Sequence, residues 1–178
     1  MANDLFREHG FHNVTINEVA AAAGVHRATF LRYFATKEDA VVGAWDDLAG
    51  IVVDALRECP VGQDDWTALR QAFAACLQPV RQDPATFLSV SQVIQSSTAL
   101  GARLLEKQSS WRPGMATALA ERAGGPAPVT LEHEARVAAS FGCLNVALRY
   151  WVASEGQSDL LDLLDEAFAA LAVTMPAT

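Results

Sequence analysis

Between Val19 and Lys37 the sequence carries no acidic residue, while Arg27, Arg32 and Lys37 supply three fixed positive charges with His26 beside them. Cations gathered on a short segment are chemistry for phosphate: they neutralise a nucleic-acid backbone and release its counterions. The whole chain is acidic, with 13 Lys+Arg against 21 Asp+Glu and a net charge of −8 over 178 residues. That acidity lies elsewhere, because residues 1–45 sum to −1 and the remainder to −7. A charge acts strongly on a phosphate only within about one Debye length, roughly 8 to 10 Å. The basic patch is local and stays available to nucleic acid.

Other reactive residue types do not assemble into chemistry. Glu132-His133-Glu134 are consecutive, and on a helix they diverge by about 100° each, so they cannot converge on one metal ion. They read as a solvated first turn. Asp46-Asp47 and Asp64-Asp65 are adjacent pairs without a nearby base or glycine-rich phosphate loop, and His9 and His12 flank a turn. No nucleophile elbow, phosphate-binding loop or dinucleotide fingerprint occurs. The expectation is no enzyme, no metal and no cofactor. Cys59, Cys76 and Cys143 are 17 and 67 residues apart, which fits neither a zinc site nor a closed disulfide set. They are expected as buried thiols in a reducing cytoplasm.

Composition then limits the scaffold. With 51% hydrophobic and 19% charged residues, the chain is not disordered. Its longest weakly polar stretch, Val137 to Leu148, is broken by Ser140 and Asn145 and ends at Arg149, short of the roughly 20 apolar residues a membrane span needs. The N-terminus lacks the basic and then apolar pattern of a secretion signal. A cytoplasmic protein with no membrane partner is expected. Strand signals are nearly absent and Ala and Leu dominate, so the fold is predicted all-α with about nine helices.

The helices that position the cations are short. The first, Ala2 to Glu8, stops at His9-Gly10. Thr15 followed by Glu18 has capping-box spacing before an alanine-rich second helix that Gly24 ends. A third runs from His26 to Phe34, and Thr36 caps a fourth whose stripe is Val41, Trp45, Leu48, Val52 and Ala55, ending near Cys59-Pro60. Trp66, Leu69, Phe73, Cys76 and Leu77 mark a fifth, kinked or ended by Pro79. Pro84 opens a sixth, and a seventh carries Leu104 to Leu119 with an interruption at Pro113. The eighth follows Thr130 to about Ala153, and the ninth follows Ser158 as N-cap. The domain boundary is placed between Ala44 and Ile51, dividing a head of residues 1–45 from residues 46–178.

Two short helices joined by a tight turn, the second basic, describe a helix-turn-helix, whose second helix enters the major groove. The stretch VTINEVAAAAGVHRATFLRYFATKEDAV, preceded by LFREHGF, resembles the DNA-binding region of TetR-family transcriptional regulators. The shared pattern is Leu5-Phe6, Gly10-Phe11, Val14-Thr15, Ile16, Val19-Ala20, Ala23-Gly24-Val25, Thr29-Phe30, Tyr33-Phe34 and Lys37-Glu38. Ile16, Val19, Val25, Phe30 and Phe34 are expected to form the small core of the head. By the resemblance, Thr15 caps the second helix and points at a phosphate. His26, Arg27, Ala28 and Thr29 face the major groove, with Arg27 able to pair bidentately with guanine. Arg32, Tyr33 and Lys37 hold the backbone. Leu31 stands where the family usually has a phosphate-contacting tyrosine. The first helix is shorter than is usual in the family, which predicts a less stable head, weaker on DNA.

The resemblance also implies a ligand-binding and dimerising second part. Phe73, Leu77, Phe87, Val90, Ile94, Trp111, Met115, Phe141 and Asn145 are the expected pocket residues, and their character favours a hydrophobic or aromatic effector. The eighth and ninth helices are apolar on two sides, which calls for burial on both. A homodimer using Cys143, Ala147, Tyr150, Leu164, Phe168 and Leu171 is expected. The resulting reading is a repressor that binds a palindromic operator in double-stranded DNA and is released by a small molecule. The alternative is a dimeric small-molecule-binding or interaction protein whose shortened head no longer binds DNA specifically.

Overall fold

The computed structural model describes residues 2–45, 48–122, 124–125 and 127–172, with the side chains of residues 2–4, 7 and 44 outside the description. Among the described residues there is no strand. The helices are α1 (Ala2–His9), α2 (Ile16–Ala22), α3 (Arg27–Tyr33), α4 (Lys37–Val42), α5 (Leu48–Glu58), α6 (Asp65–Cys76), α7 (Gln78–Gln82), α8 (Pro84–Gln95), α9 (Thr98–Glu121), α10 (Leu131–Ala153) and α11 (Leu160–Ala172). Single 3-10 turns cover Phe11–Asn13 and Gly43–Trp45.

The count exceeds nine for two reasons. The fourth predicted helix is divided, because α4 passes at Gly43 into the 3-10 turn and glycine is a poor helix former. Pro79 stands two residues past Leu77, the C-cap that ends α6, and also sits in the first turn of a separate helix, α7, where its missing N–H is harmless. Pro113 likewise does not interrupt α9. It is exposed, so the carbonyl it leaves unpaired can face water. At α11 the capping role falls to Asp159, whose carboxylate accepts from the amides of Leu161 (2.7 Å) and Asp162 (3.3 Å), rather than to Ser158. The Asp46-Asp47 pair lies outside the described residues.

The chain forms two compact units, Met1–Asp46 with Ala85–Lys107, and Asp47–Pro84 with Gln108–Thr178. The first therefore includes α8 and the start of α9, which the 45/46 division assigns to the second domain. The tie is chemical. Arg103 donates to Asp39 at 2.8 and 3.0 Å, Lys107 Nζ donates to the Val42 carbonyl at 2.9 Å, and Ser97 Oγ lies 3.4 Å from His12 Nε2. The core of this unit holds Phe6, Phe11, Val14, Val19, Phe30, Val41, Trp45, Val90, Ile94 and Leu100. Of the predicted core, Ile16 and Phe34 are half-buried, and Val25 is 38% exposed because it sits in the turn after Gly24.

In the second unit α10 and α11 pack along each other and α6 packs against both. The Trp66 and Phe168 rings meet at a tilt with centroids 4.6 Å apart, and the Trp66 indole N–H donates to the Phe168 carbonyl at 3.0 Å. Arg70 forks onto Asp165 at 2.6 and 2.5 Å. Arg122 (3.1 Å) and Arg136 (2.7 Å) share Asp65. The three cysteines are unpaired thiols, Cys59 half-buried and the others buried. Burial pushes the Cys76 thiol up to about 12, which makes it inert.

Candidate nucleic-acid interface

The surface that could meet nucleic acid is built by two caps and one turn. At the start of α2 the Thr15 amide (2.7 Å) and hydroxyl (2.7 Å) both donate to Glu18, while the Glu18 amide donates back to Thr15 Oγ1. The Thr15 amide hydrogen bond is the main reason the Glu18 carboxyl lies below its usual range. It also means that the hydroxyl proton of Thr15 is spent on Glu18. Thr15 fixes α2 but has no hydroxyl proton left for a phosphate, contrary to the dual role expected of it.

Between α2 and α3 the Gly24 amide donates to Ala21 (3.0 Å) and the Val25 amide to Ala20 (2.9 Å), the pair of bonds that closes a helix with a left-handed residue. Gly24 has φ +70°, a conformation that any side chain would strain. The chain therefore turns within three residues and starts α3 with His26 as N-cap; the imidazole makes no capping bond.

On α3, Phe30 is buried and anchors the helix, ringed by Phe34 at 5.3 Å. The other face is open. His26, Arg27 and Ala28 are exposed, and Thr29 is half-buried. Among the described residues no hydrogen bond or ion pair to a side chain engages Arg27. At the far end, the Arg32 guanidinium lies 5.1 Å from the Tyr33 ring centroid and its nitrogen is 3.4 Å from the Tyr33 hydroxyl. Tyr33 is 69% exposed, so the pair forms an outward, charged knuckle. The geometry offers donors for base edges at the start of α3 and for phosphates at its end.

Lys37 is placed differently from the expectation. Its ammonium donates to the carbonyls of Phe11 (2.7 Å), Val14 (3.0 Å) and His12 (3.4 Å), and lies 4.4 Å from the Phe11 ring centroid. All three N–H groups are consumed inside the head. Lys37 is a clamp on the 3-10 turn that delivers α2, and no free cation for a phosphate.

The profile for "Bacterial regulatory proteins, tetR family" matches residues 1–41, the span of this helix-turn-helix. A second profile of the same group, "MftR C-terminal domain", matches residues 63–176, well over half of the chain. The chain belongs to the TetR family. Two relatives are the HTH-type transcriptional regulator TcmR of Streptomyces glaucescens, 28% identical over 129 residues, and a candidate mycofactocin biosynthesis transcriptional regulator, MftR, of Mycobacterium tuberculosis, 30% identical over 129 residues. The matches cover 69% and 70% of this chain but only 57% and 63% of those proteins, less than two thirds of their length. Among solved structures, the fatty acid degradation regulator FadR of Bacillus halodurans aligns over 96% of this chain and 89% of its own, with a TM-score of 0.62 and 21% identity. That likeness establishes the all-α TetR fold.

The expected pocket residues divide between the two units of this TetR-family chain. In the first, Phe87 stacks on Trp45 at 5.2 Å, and Val90 and Ile94 are buried. In the second, Phe73, Trp111 and Phe141 form a cluster with ring centroids 5.2 and 6.1 Å apart, beside buried Met115 and Leu77. Asn145 is paired to Gln108. The second unit also contains a cavity of about 460 Å³ whose wall includes Leu77, Val80, Trp151, Leu160 and the Arg81–Asp159 ion pair (3.6 Å). Leu77 alone of the expected residues lines it.

The expected dimer residues need correction. Cys143, Ala147, Leu164 and Phe168 are at most 4% exposed within a single chain, so they belong to its own packing; Cys143, for instance, donates to the Ala167 carbonyl. Tyr150 and Leu171 are exposed. The outward stripe of α10 runs through Gly142, Val146 and Tyr150, so of the α10 residues chosen by periodicity Tyr150 faces outward and Cys143 and Ala147 do not. Glu132-His133-Glu134 has a structural role: His133 completes a capping box with Thr130, and Glu132 pairs with Arg136. Among the described residues no group of three or more His, Cys, Asp or Glu is placed to hold a metal, and no helix is long and apolar enough to cross a membrane.

Proposed function

We propose that this protein is a sequence-specific DNA-binding regulator, a cytoplasmic repressor that reads a palindromic operator as a homodimer and is released by a small hydrophobic or aromatic ligand. The observation that carries the reading is the α3 face. His26, Arg27 and Ala28 stand exposed and unspent after a three-residue turn, with the Arg32–Tyr33 knuckle behind them. The TetR family supports it, since its relatives TcmR and MftR bear regulator names. Arg27 is assigned to base edges and Arg32 with Tyr33 to phosphate; Lys37 and Thr15 position them. The exposed apolar residues Val146 and Tyr150 on α10, with Leu171 on α11, support pairing through those helices.

The test is selection from a pool of random duplex DNA followed by sequencing. A palindromic enriched site, lost at one base position in each half with Arg27→Ala, is the expected result. Enrichment without symmetry would remove the dimeric reading. No enrichment at all would favour the ligand-binding protein whose head does not read sequence.

A further inference from the structure

In the second unit α9 and α10 face each other through two rungs. Gln108 and Arg112 are one turn apart on α9, as are Phe141 and Asn145 on α10. The first rung is a reciprocal amide pair: Gln108 Nε2 donates to Asn145 Oδ1 at 2.9 Å, and Asn145 Nδ2 donates to Gln108 Oε1 at 3.0 Å. The second places the Arg112 guanidinium 5.6 Å from the Phe141 ring centroid. Gln108 has no solvent exposure and Arg112 is half-buried.

These rungs are not equally satisfied. Each amide has one N–H and one oxygen lone pair engaged and keeps one of each. Arg112 has less: its Nε is buried without a partner, and among the described residues no hydrogen bond or ion pair reaches its guanidinium. A fixed positive charge with a desolvated, unpaired donor is costly, and the aromatic face beneath it offsets only part of that cost. Arg112 offers only donors, on a cation, and the side chains nearby, Trp111, Phe73 and Met115, are apolar and buried.

We propose that Arg112, flanked by the Gln108–Asn145 pair, is the receptor for an oxyanion carried on an apolar body, and that this is the polar anchor of the regulatory ligand. The proposal rests on the reading of the protein as ligand-responsive but concerns binding alone. A carboxylate or a phosphate would supply the missing acceptors, and the planar guanidinium suits either bidentately.

The test is isothermal titration of the full chain with decanoate, decyl phosphate and decanol. The wild type is expected to bind one or both anions at least 10-fold more tightly than the alcohol, and the tighter anion assigns carboxylate or phosphate. Arg112→Gln should lose at least 10-fold for the anions while binding the alcohol unchanged, and Arg112→Lys should retain part of the preference. Without ligand, Arg112→Met should unfold at the same or a higher temperature than the wild type, because it removes an orphaned polar group. The proposal is overturned by equal anion affinity in Arg112→Gln, by no binding of either anion, or by marked destabilisation of Arg112→Met. None of these readouts involves DNA, so failure here leaves the selection experiment to decide the DNA-binding reading independently.

Discussion

Lys37→Met is the most informative single substitution, because it separates a clamp from a phosphate contact. Methionine keeps most of the aliphatic stem and removes the ammonium with its bonds to Phe11 (2.7 Å), Val14 (3.0 Å) and His12 (3.4 Å). A charged hydrogen bond contributes roughly 1.5 to 3 kcal/mol and a partly exposed cation over an aromatic ring about 0.5 to 1. The third bond is long and exposed, and water can reach the freed carbonyls, so the net loss should be about 2 kcal/mol. At 1.4 kcal/mol per decade that is about a 30-fold fall in protection. Amide hydrogen exchange over residues 11–14 and α4 reads it directly. The salt dependence of binding to any random duplex is the second measurement. Each phosphate contact adds about 0.9 to the slope of log K against log salt. Lys37→Met should leave that slope unchanged, whereas Arg32→Met should reduce it by about 0.9. Unchanged exchange together with a slope reduced by about one unit in Lys37→Met would refute the clamp.

Asn145→Leu leaves the fully buried Gln108 amide without its partner and should cost about 2 kcal/mol by urea unfolding; the double variant with Gln108→Leu should cost less than the two singles added, and strict additivity would deny the pair. Burial tends to raise the Asp39 carboxyl, but hydrogen bonds from Arg103 and Thr36 outweigh it and hold the group below the usual carboxylate range. Its stabilising contribution is therefore complete above the ordinary carboxylate pKa and disappears as pH falls through the lowered value. Thermal melts through this acidic window should show a drop that Arg103→Met makes shallower; identical profiles would remove the ion pair from the account. Val146→Glu with Tyr150→Glu should halve the sedimenting mass without loss of helicity, and an unchanged mass would exclude this face of α10.

Features set by neighbours in sequence were readable from it. Thr15, Thr36 and Thr130 act as caps with the residue three positions on, and Gly24 makes the turn. The open face of α3 follows from having a single large apolar anchor, Phe30, among polar residues. Features set across space were not readable. Lys37 bonds carbonyls 23 to 26 residues away, and no side-chain pattern announces a backbone acceptor. On α10, apolar residues occupy both sides, so periodicity alone could not distinguish the core face of Cys143 and Ala147 from the outward face of Val146 and Tyr150. Arg112 carried a faint signal, a cation one turn after Gln108 on the same side of α9 and next to the apolar Trp111. Only the position of Phe141 and the orphaned Nε give that signal meaning.

The inward turn of Lys37 has a consequence for how the protein would search a genome. From Ile16 to Lys37 it leaves Arg27 and Arg32 as the fixed cations facing outward, on a chain whose net charge is −8. So few outward cations give little hold on DNA of arbitrary sequence, and the acidic remainder adds repulsion at longer range. Encounters with random sequence would be brief, with little sliding between hops. Residence would then depend on the base contacts at the start of α3, so a correct site would stand out through its long dwell time against a low background of non-specific occupancy.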